Sequence, residues 1–291
     1  MATLPRDATL IRGRRRRRLR FGRVSPITVA AAVMVTIALV LAIFGPLIAP
    51  DNPSEVNLLA SSQAPSAEHL LGTDQLGRDV LSRTIVGART AVLGPLAIAL
   101  VTTFLATVIG LVAGYVGGVA DTIISRIGDV IYALPALLVA IVVVGVLGGG
   151  YILAIVVLIV LNLPWNMRNL RAATLEQRNL PYIEAARILD LSRRQIMRKH
   201  VLPNIMPVVL SSFFLGFTYA FVDLSTLSFL GLGVAPGTAD WGRMVAESRI
   251  LIFENPWGAL APLFMIILTA LSANLLGDAL DDRLGTEGVA R

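Results

Sequence analysis

The sequence contains no cysteine, so a disulfide and a thiolate metal site are both excluded. Histidine is nearly absent: His69 and His200 stand far apart in the chain, which argues against a histidine metal centre. Lysine occurs once, at Lys199, in the context RRQIMRK, and no G-x-x-x-x-G-K-[ST] phosphate loop exists. The chain is therefore not expected to hydrolyse ATP itself. It also lacks a G-x-S-x-G elbow and an HExxH motif. Glu184 has no histidine or second carboxylate at a useful spacing, so no catalytic residue and no metal ligand is expected. Charge is scarce as well. Only 15% of residues are charged, against about a quarter in a typical soluble domain. With 55% hydrophobic residues and a mean hydropathy of +0.75, the simplest class is a polytopic membrane protein.

What the chain has instead is a series of long apolar runs. The first, 27–48, is 22 residues without a charge, long enough to span a bilayer and too long for a secretory signal core. Further spans are expected at 90–116, 130–147, 151 to about 165, 207–230 and 257–276, with kinks near Pro95, Pro135 and Pro164. Gly110, Gly114, Gly117 and Gly118 would let helices approach closely. The resulting organisation is a basic arm (1–26), a first transmembrane helix (27–49), an external segment (50–89), a five-helix core (90–280) enclosing a polar loop at 165–206, and a charged tail (281–291). Nine arginines lie in the first 23 residues, five of them consecutive at Arg14 to Arg18. Such an arm suits contact with anionic membrane lipid and fixes the N-terminus inside; nucleic acid is a weaker alternative. With this topology 20 of the 25 basic residues fall inside and five (Arg78, Arg83, Arg89, Arg243, Arg249) outside, which supports six spans with both termini inside.

The polar loop, WNMRNLRAATLEQRNLPYIEAARILDLSRRQIMRKHVLPNIMP, interrupts the second half. Pro181 suits the first turn of a short helix over 182–189. Ser192 and Gln195 form a capping box for a second over 193–200, which Pro203 would stop. Ile183, Ala186 and Leu189 share one face of the first helix by spacing, with Glu184 and Arg187 outside it. An amphipathic pair of this kind can dock into a groove on another protein, or can be a solvated loop between spans. Outside, HLLGTDQLGRDVLSR (69–83) places Asp74 where it can cap a short helix near Gln75. Its charges read as structural ion pairs or as contacts for a delivering partner. Asp223, deep in the fifth span, faces either a solute pathway or a partner subunit, with Ser225, Thr226 and Ser228 near enough to hydrogen-bond it.

The loop residues Tyr182, Glu184-Ala185-Ala186, Ile196 and Leu202-Pro203 resemble the EAA loop of bacterial ABC-importer membrane subunits, and YIEAARIL…HVLPN is most similar to the oligopeptide/dipeptide branch. The family usually has glycine where this chain has Asp190. GTD-x-x-GRD-x-x-SR at 72–83, SFLGLG at 228–233, Pro236 with WGRM and Glu247, and NLLGD at 274–278 resemble the same branch. The tail (ALDDR) departs from the family's wording.

The resemblance implies an all-α, six-span type I ABC-importer permease fold in a bacterial inner membrane. It implies a peptide importer that works by alternating access; nickel or another small solute, or less readily a channel or scaffold, are the alternatives. The implied partners are a second, homologous permease, two ATP-binding subunits or domains carrying ATP and Mg, and an extracytoplasmic substrate-binding protein. By the same resemblance Tyr182, Glu184, Ala185, Ala186, Asp190, Leu202 and Pro203 would couple to the ATPase. Asp223, Ser225 and Ser228 would line the pathway. Asp74, Arg78, Asp79, Trp241 and Glu247 would meet the binding protein.

Overall fold

The computed structural model describes residues 25–288; most of the basic arm lies outside them. Among the described residues there are ten α-helices and no β-strand. Helix α1 (Pro26–Ile48) starts at Ser25, whose Oγ accepts a hydrogen bond from the Ile27 N–H. Its buried residues, Ala31, Ala38, Ala42 and Gly45, form one small-residue stripe. A side chain at Gly45 would come within 2.9 Å of the Ile85 carbonyl oxygen, so α1 lies directly against the next helix.

That helix, α2 (Val80–Val116), is 37 residues long and starts ten residues before the expected span. Its cap is Asp79, whose Oδ2 accepts from the Ser82 N–H at 2.7 Å. The expected helix capped by Asp74 does not form. Asp74 Oδ1 instead accepts from the Leu76 and Arg78 N–H groups, closing a tight turn. Gly72 (φ 71°) and Gly77 (φ 70°) are left-handed there, which breaks any helix. Of the four expected interface glycines, Gly110 and Gly114 do serve packing. Added side chains would meet the Arg171 backbone nitrogen at 2.9 Å and Thr174 Cβ at 2.8 Å. Gly117 and Gly118 have φ of 70° and 78° and turn the chain.

The third span is not one helix. Helix α3 (Gly118–Tyr132) and α4 (Ala136–Val146) meet at an 82° bend. Pro135 lacks an N–H and is itself extended (φ −59°, ψ 115°), so the helix does not continue through it. Helix α5 (Tyr151–Arg178) runs well beyond 165 into the polar loop, carrying Pro164 within it. The loop then forms α6 (Pro181–Ile188) and α7 (Arg193–Ile196). Pro203 does not stop the helix that follows. After a π-helical stretch, Met197–Val201, the chain passes straight into α8 (Leu202–Phe229), with Pro203 in its first turn. A proline inside a helix clashes with the carbonyl four residues back, and the wider π turn relieves that clash. Outside lies α9 (Trp241–Ser248); α10 (Trp257–Gly288) closes the bundle and is longer than the expected last span.

Among the described residues five helical runs are long and apolar enough to cross a membrane, and the bent pair, counted as one span, makes six. Helices α1, α2, α8 and α10 pack around Ala42, Ala88, Phe217 and Phe221; α4, α5 and α8 pack around Ala140, Ala154, Leu158 and Leu224.

Candidate functional site

Three polar places stand out. The first is the cytoplasmic loop. Ile183 and Ala186 of α6 are buried against Leu111, Tyr115, Ile196, Val201 and Ile205, which roots the helix on the inner ends of α2 and α8. Leu189, expected on that inner face, is 74% exposed, and Ile188 is 84% exposed. The helix ends at Leu189, so the inward periodicity stops one turn earlier than the spacing predicts. Tyr182, Ala185, Ile188 and Leu189 follow helical spacing on the outer side, with Glu184 also exposed.

The turn after α6 is a Schellman motif. The Leu191 N–H donates to the Ala186 carbonyl and the Asp190 N–H to the Arg187 carbonyl. Asp190 has φ 54°, the left-handed conformation a glycine would take at lower cost. The capping box of Ser192 and Gln195 is formed in both directions. Tyr182 donates its hydroxyl to Gln177 Oε1 at 2.6 Å, and burial raises its pKa. Leu202 packs behind this core, and neither it nor Pro203 belongs to the outer stripe of α6. On the same side Arg171 and Asp121 tie α5 to α3, with Nη2–Oδ2 at 2.6 Å. The hydrogen bond from Arg171 holds the Asp121 carboxyl below its usual range.

The second place is a cavity of about 540 Å³ beside the break between α3 and α4. Asn162, Trp165 and Asn166 of α5 and Gly216, Tyr219 and Asp223 of α8 line it. Helix α4 is 11 residues long, so at ~1.5 Å per residue the cavity lies ~16 Å below the outer turn, near the middle of a ~30 Å hydrocarbon core. Of the residues expected along the pathway, Asp223 is in its wall and Ser225 and Ser228 are not. They lie roughly 200° and 140° around the helix from Asp223. Ser225 turns its backbone to Gly242 of α9, and Ser228 is buried at the outer end. Thr226 donates its hydroxyl to the Val222 carbonyl rather than to Asp223.

The third is a buried ionic cluster outside. Asp74 Oδ2 takes Arg78 Nε at 2.7 Å and Arg83 Nε at 3.4 Å. Glu247 Oε2 takes Arg78 Nη2 at 3.2 Å and Arg83 Nη2 at 3.4 Å, and its Oε1 takes Arg243 Nε at 2.9 Å. Both arginines also donate to the Gly237 carbonyl. Trp241 is fully buried, donates Nε1–H to the Thr84 carbonyl at 2.7 Å and meets Phe221 edge-on. Of the residues expected to meet an external protein, Asp74 and Arg78 are buried and paired with each other, Asp79 is buried as the cap of α2, Trp241 is buried against Thr84 and Phe221, and only Glu247 is half-exposed. Asp240, which caps α9 through the Arg243 N–H, is buried, and burial raises its carboxyl above the usual range.

His69 belongs to this outer region, a placement that its isolation in sequence gave no sign of. Its Nδ1 lies 3.1 Å from Asp79 Oδ1 and 4.0 Å from Asp51 Oδ2. Asp79 already uses its other oxygen to cap α2, so hydrogen bonding accounts for the arrangement.

Comparison with known proteins agrees with this architecture. Residues 106–286 match the family described as binding-protein-dependent transport system inner membrane component. The chain is similar to the probable D,D-dipeptide transport system permease protein DdpC of Escherichia coli (strain K12), 34% identical over 89% of this chain and 87% of that one. It is 38% identical to the di/tripeptide transport system permease protein DppC of Pseudomonas aeruginosa (strain UCBPP-PA14), over 84% and 82%. In fold it is similar to the inward-facing MetNI methionine ABC transporter, with a TM-score of 0.52 at 22% identity, covering 67% of this chain and 94% of that one. The bent third span, the rooted cytoplasmic helix and the multi-pass apolar bundle are the parts of one recognised architecture, and the chain belongs to the binding-protein-dependent transport system inner membrane components, as a permease subunit of the ABC-importer type.

Proposed function

We propose that this chain forms half of the membrane pathway of an ATP-driven peptide importer. A second, homologous permease supplies the other half. Two ATP-hydrolysing subunits, which hold ATP and Mg, seat the α6 helices from below, and an external binding protein delivers the peptide. The peptide substrate follows from what the similar permeases carry by name.

One observation carries the coupling. Helix α6 presents an unburied apolar stripe to the cytoplasm, and the elements on either side of it run into the membrane without a break: α5 on one side, and the helical run from Arg193 to Phe229 on the other. Those same two elements supply the facing walls of the cavity, through Trp165 and Asn166 on one and Tyr219 and Asp223 on the other. A push on α6 is therefore a push on both walls. Closure of the ATPases on nucleotide draws the two α6 helices of the assembly together, rocks the walls and opens the outer mouth; hydrolysis lets them return.

The test is purification of the tagged chain in mild detergent, with identification of the co-purifying chains and an ATPase assay. Recovery of a second permease and ATP-hydrolysing chains, lost when Ile188 and Leu189 are both replaced by aspartate, is the expected result. Recovery of the unaltered chain alone, without ATPase activity, overturns the reading.

A further inference from the structure

We infer that the mid-membrane cavity is a subsite for an ammonium group, with Asp223 as its counter-charge; the inference rests on the importer reading and names what the cavity holds during passage. Asp223 is the one charged side chain in the lining among the described residues. The break beside it brings the C-terminus of α3 and the N-terminus of α4 to the same edge, and their opposite partial charges offset each other, so Asp223 sets the sign. Asn166 provides an independent sign of a ligand. It is 1% exposed, lines the cavity, and its Oδ1 has no hydrogen-bond partner among the described residues. A buried carbonyl oxygen without a donor costs stability, and an entering N–H group would satisfy it.

The remaining walls suit a cation too. Trp165 and Tyr219 stand edge-to-face at 6.1 Å and present aromatic surface, and Gly216 leaves the space before Asn166 free of any side chain. The nearest arginine along α5, Arg168, is not a lining residue; it is paired with Asp129 at 2.7 Å and stacked over the ring of Tyr132 in the cavity wall. Below Trp165 lies a second cavity of about 490 Å³, and its charged lining residues among the described side chains are Glu176, Asp278 and Asp281, all carboxylates. A solute passing Trp165 thus moves from one carboxylate field to another. The chemistry favours a positively charged nitrogen, such as the free amino terminus of a peptide, and disfavours an anion.

The absence of cysteine makes a direct test possible, because an introduced thiol is the only one in the chain. Asn162→Cys places it in the cavity wall, and Ala67→Cys, on the exposed outer loop, provides the reference. Each variant, in native membranes, is treated with a cationic and an anionic methanethiosulfonate reagent, and the rate ratio is normalised to the reference. The expected preference for the cation at position 162 is about tenfold, falling towards unity with Asp223→Asn and returning with Asp223→Glu. Equal rates, no labelling by either reagent, or a ratio indifferent to Asp223 overturns the inference. This readout needs no transport, so it stands apart from failure of the importer reading. In proteoliposomes holding the whole assembly, with peptides of a partial casein digest as substrate, Asp223→Asn should lower uptake about tenfold. Unchanged uptake overturns the inference as well.

Discussion

Replacing Asp74 with asparagine probes the external cluster most sharply. Asparagine is nearly isosteric, and its oxygen can keep the two backbone bonds that close the 74–78 turn. Its amide, however, would face the Nε atoms of Arg78 and Arg83, which Asp74 Oδ2 now accepts. The two guanidiniums would keep backbone carbonyls of Gly237 and Pro53 but only Glu247 as a carboxylate partner among the described residues, and Glu247 is shared with Arg243. The side chains of Arg78 and Arg83 are 6% and 1% exposed, so water cannot replace the lost partner. Removing one member of a buried pair costs about 3–5 kcal/mol. Taking the lower end, and roughly 2–4 °C per kcal/mol for a chain of this size, the midpoint of thermal unfolding should fall by roughly 6–12 °C. Fluorescence-detected size exclusion after heating in mild detergent would measure it. Adding Arg78→Met removes one of the stranded charges, so the double variant should lose less than the sum of the two single losses, by about 1 kcal/mol or more. A shift below about 2 °C for Asp74→Asn, or strict additivity in the double variant, would refute the buried-network argument.

Further expectations concern the turn, the helix interface and two carboxylates. Asp190→Gly should raise the unfolding midpoint, worth about 1 kcal/mol, because it removes the left-handed strain while keeping the Schellman bonds; a loss of stability would mean that the Asp190 side chain contributes a contact. Gly114→Leu should cost about 1–3 kcal/mol or more, since its Cβ alone would sit 2.9 Å from the backbone oxygen of Arg171, and the same heating assay reads it. The lowered pKa of Asp121 means that its stabilising tie to Arg171 is complete above the ordinary carboxylate range and lost as pH falls through the lowered value; Asp121→Asn should therefore be less stable than the parent at neutral pH and converge with it in acid. Asp240 has the opposite sign: its raised pKa means that stability falls as pH rises above the ordinary carboxylate range. Asp240→Asn, which caps a helix about as well, should match the parent in acid and equal or exceed it at neutral pH, as thermal unfolding across pH would show.

Much of the fold was legible from apolar run length, since the bilayer demands it, and the capping box at Ser192 and Gln195 from two residues alone. What failed did so for local reasons. Pro135 and Pro203 carry the same signal in sequence, a proline in a helical stretch. At Pro135 the proline itself is extended (ψ 115°) and the span breaks; at Pro203 a π turn absorbs the ring and the helix continues. Nothing in the immediate neighbourhood tells the two apart, because the difference lies in how the flanking turns pack. The external charges were legible as a group but not as a geometry. Arg83 and Glu247 are 164 residues apart, and only the docking of α9 over the start of α2 brings them together. Trp241 is the anchor of that docking, and its burial follows from the hydrogen bond its indole makes to Thr84, a contact no periodicity reveals. Asp223 was found because an acid within an apolar run is costly anywhere, whereas Asn166, lying where α5 passes from its apolar part into the polar loop, gave no such contrast.

The distribution of stiff and yielding parts fits a machine that transmits force from one side of the membrane to the other. Helices α2 and α5 meet through Gly110 and Gly114 with backbone nearly in contact, and an interface of that kind has little room to slide. The cluster of Asp74, Arg78, Arg83 and Glu247 clamps the outer end of α2 to α9 in the same way. Between these fixed points lie two irregular elements: the 82° break before α4, and the π-helical stretch between α7 and α8. Irregular backbone within a membrane is tolerated where protein or a water-lined cavity satisfies its polar groups, and the break is at such a cavity. The π stretch sits where α6, once displaced, must turn its motion into a tilt of α8. If the break and the π turn are the compliant points, stiffening either should slow the cycle without weakening α6 against its partner, whereas loosening Gly114 or Asp74 should lose force without slowing it. Rigid spans with compliance confined to the mid-membrane break and the π turn at the cytoplasmic side would allow a small displacement at α6 to open a cavity some three helical turns into the membrane.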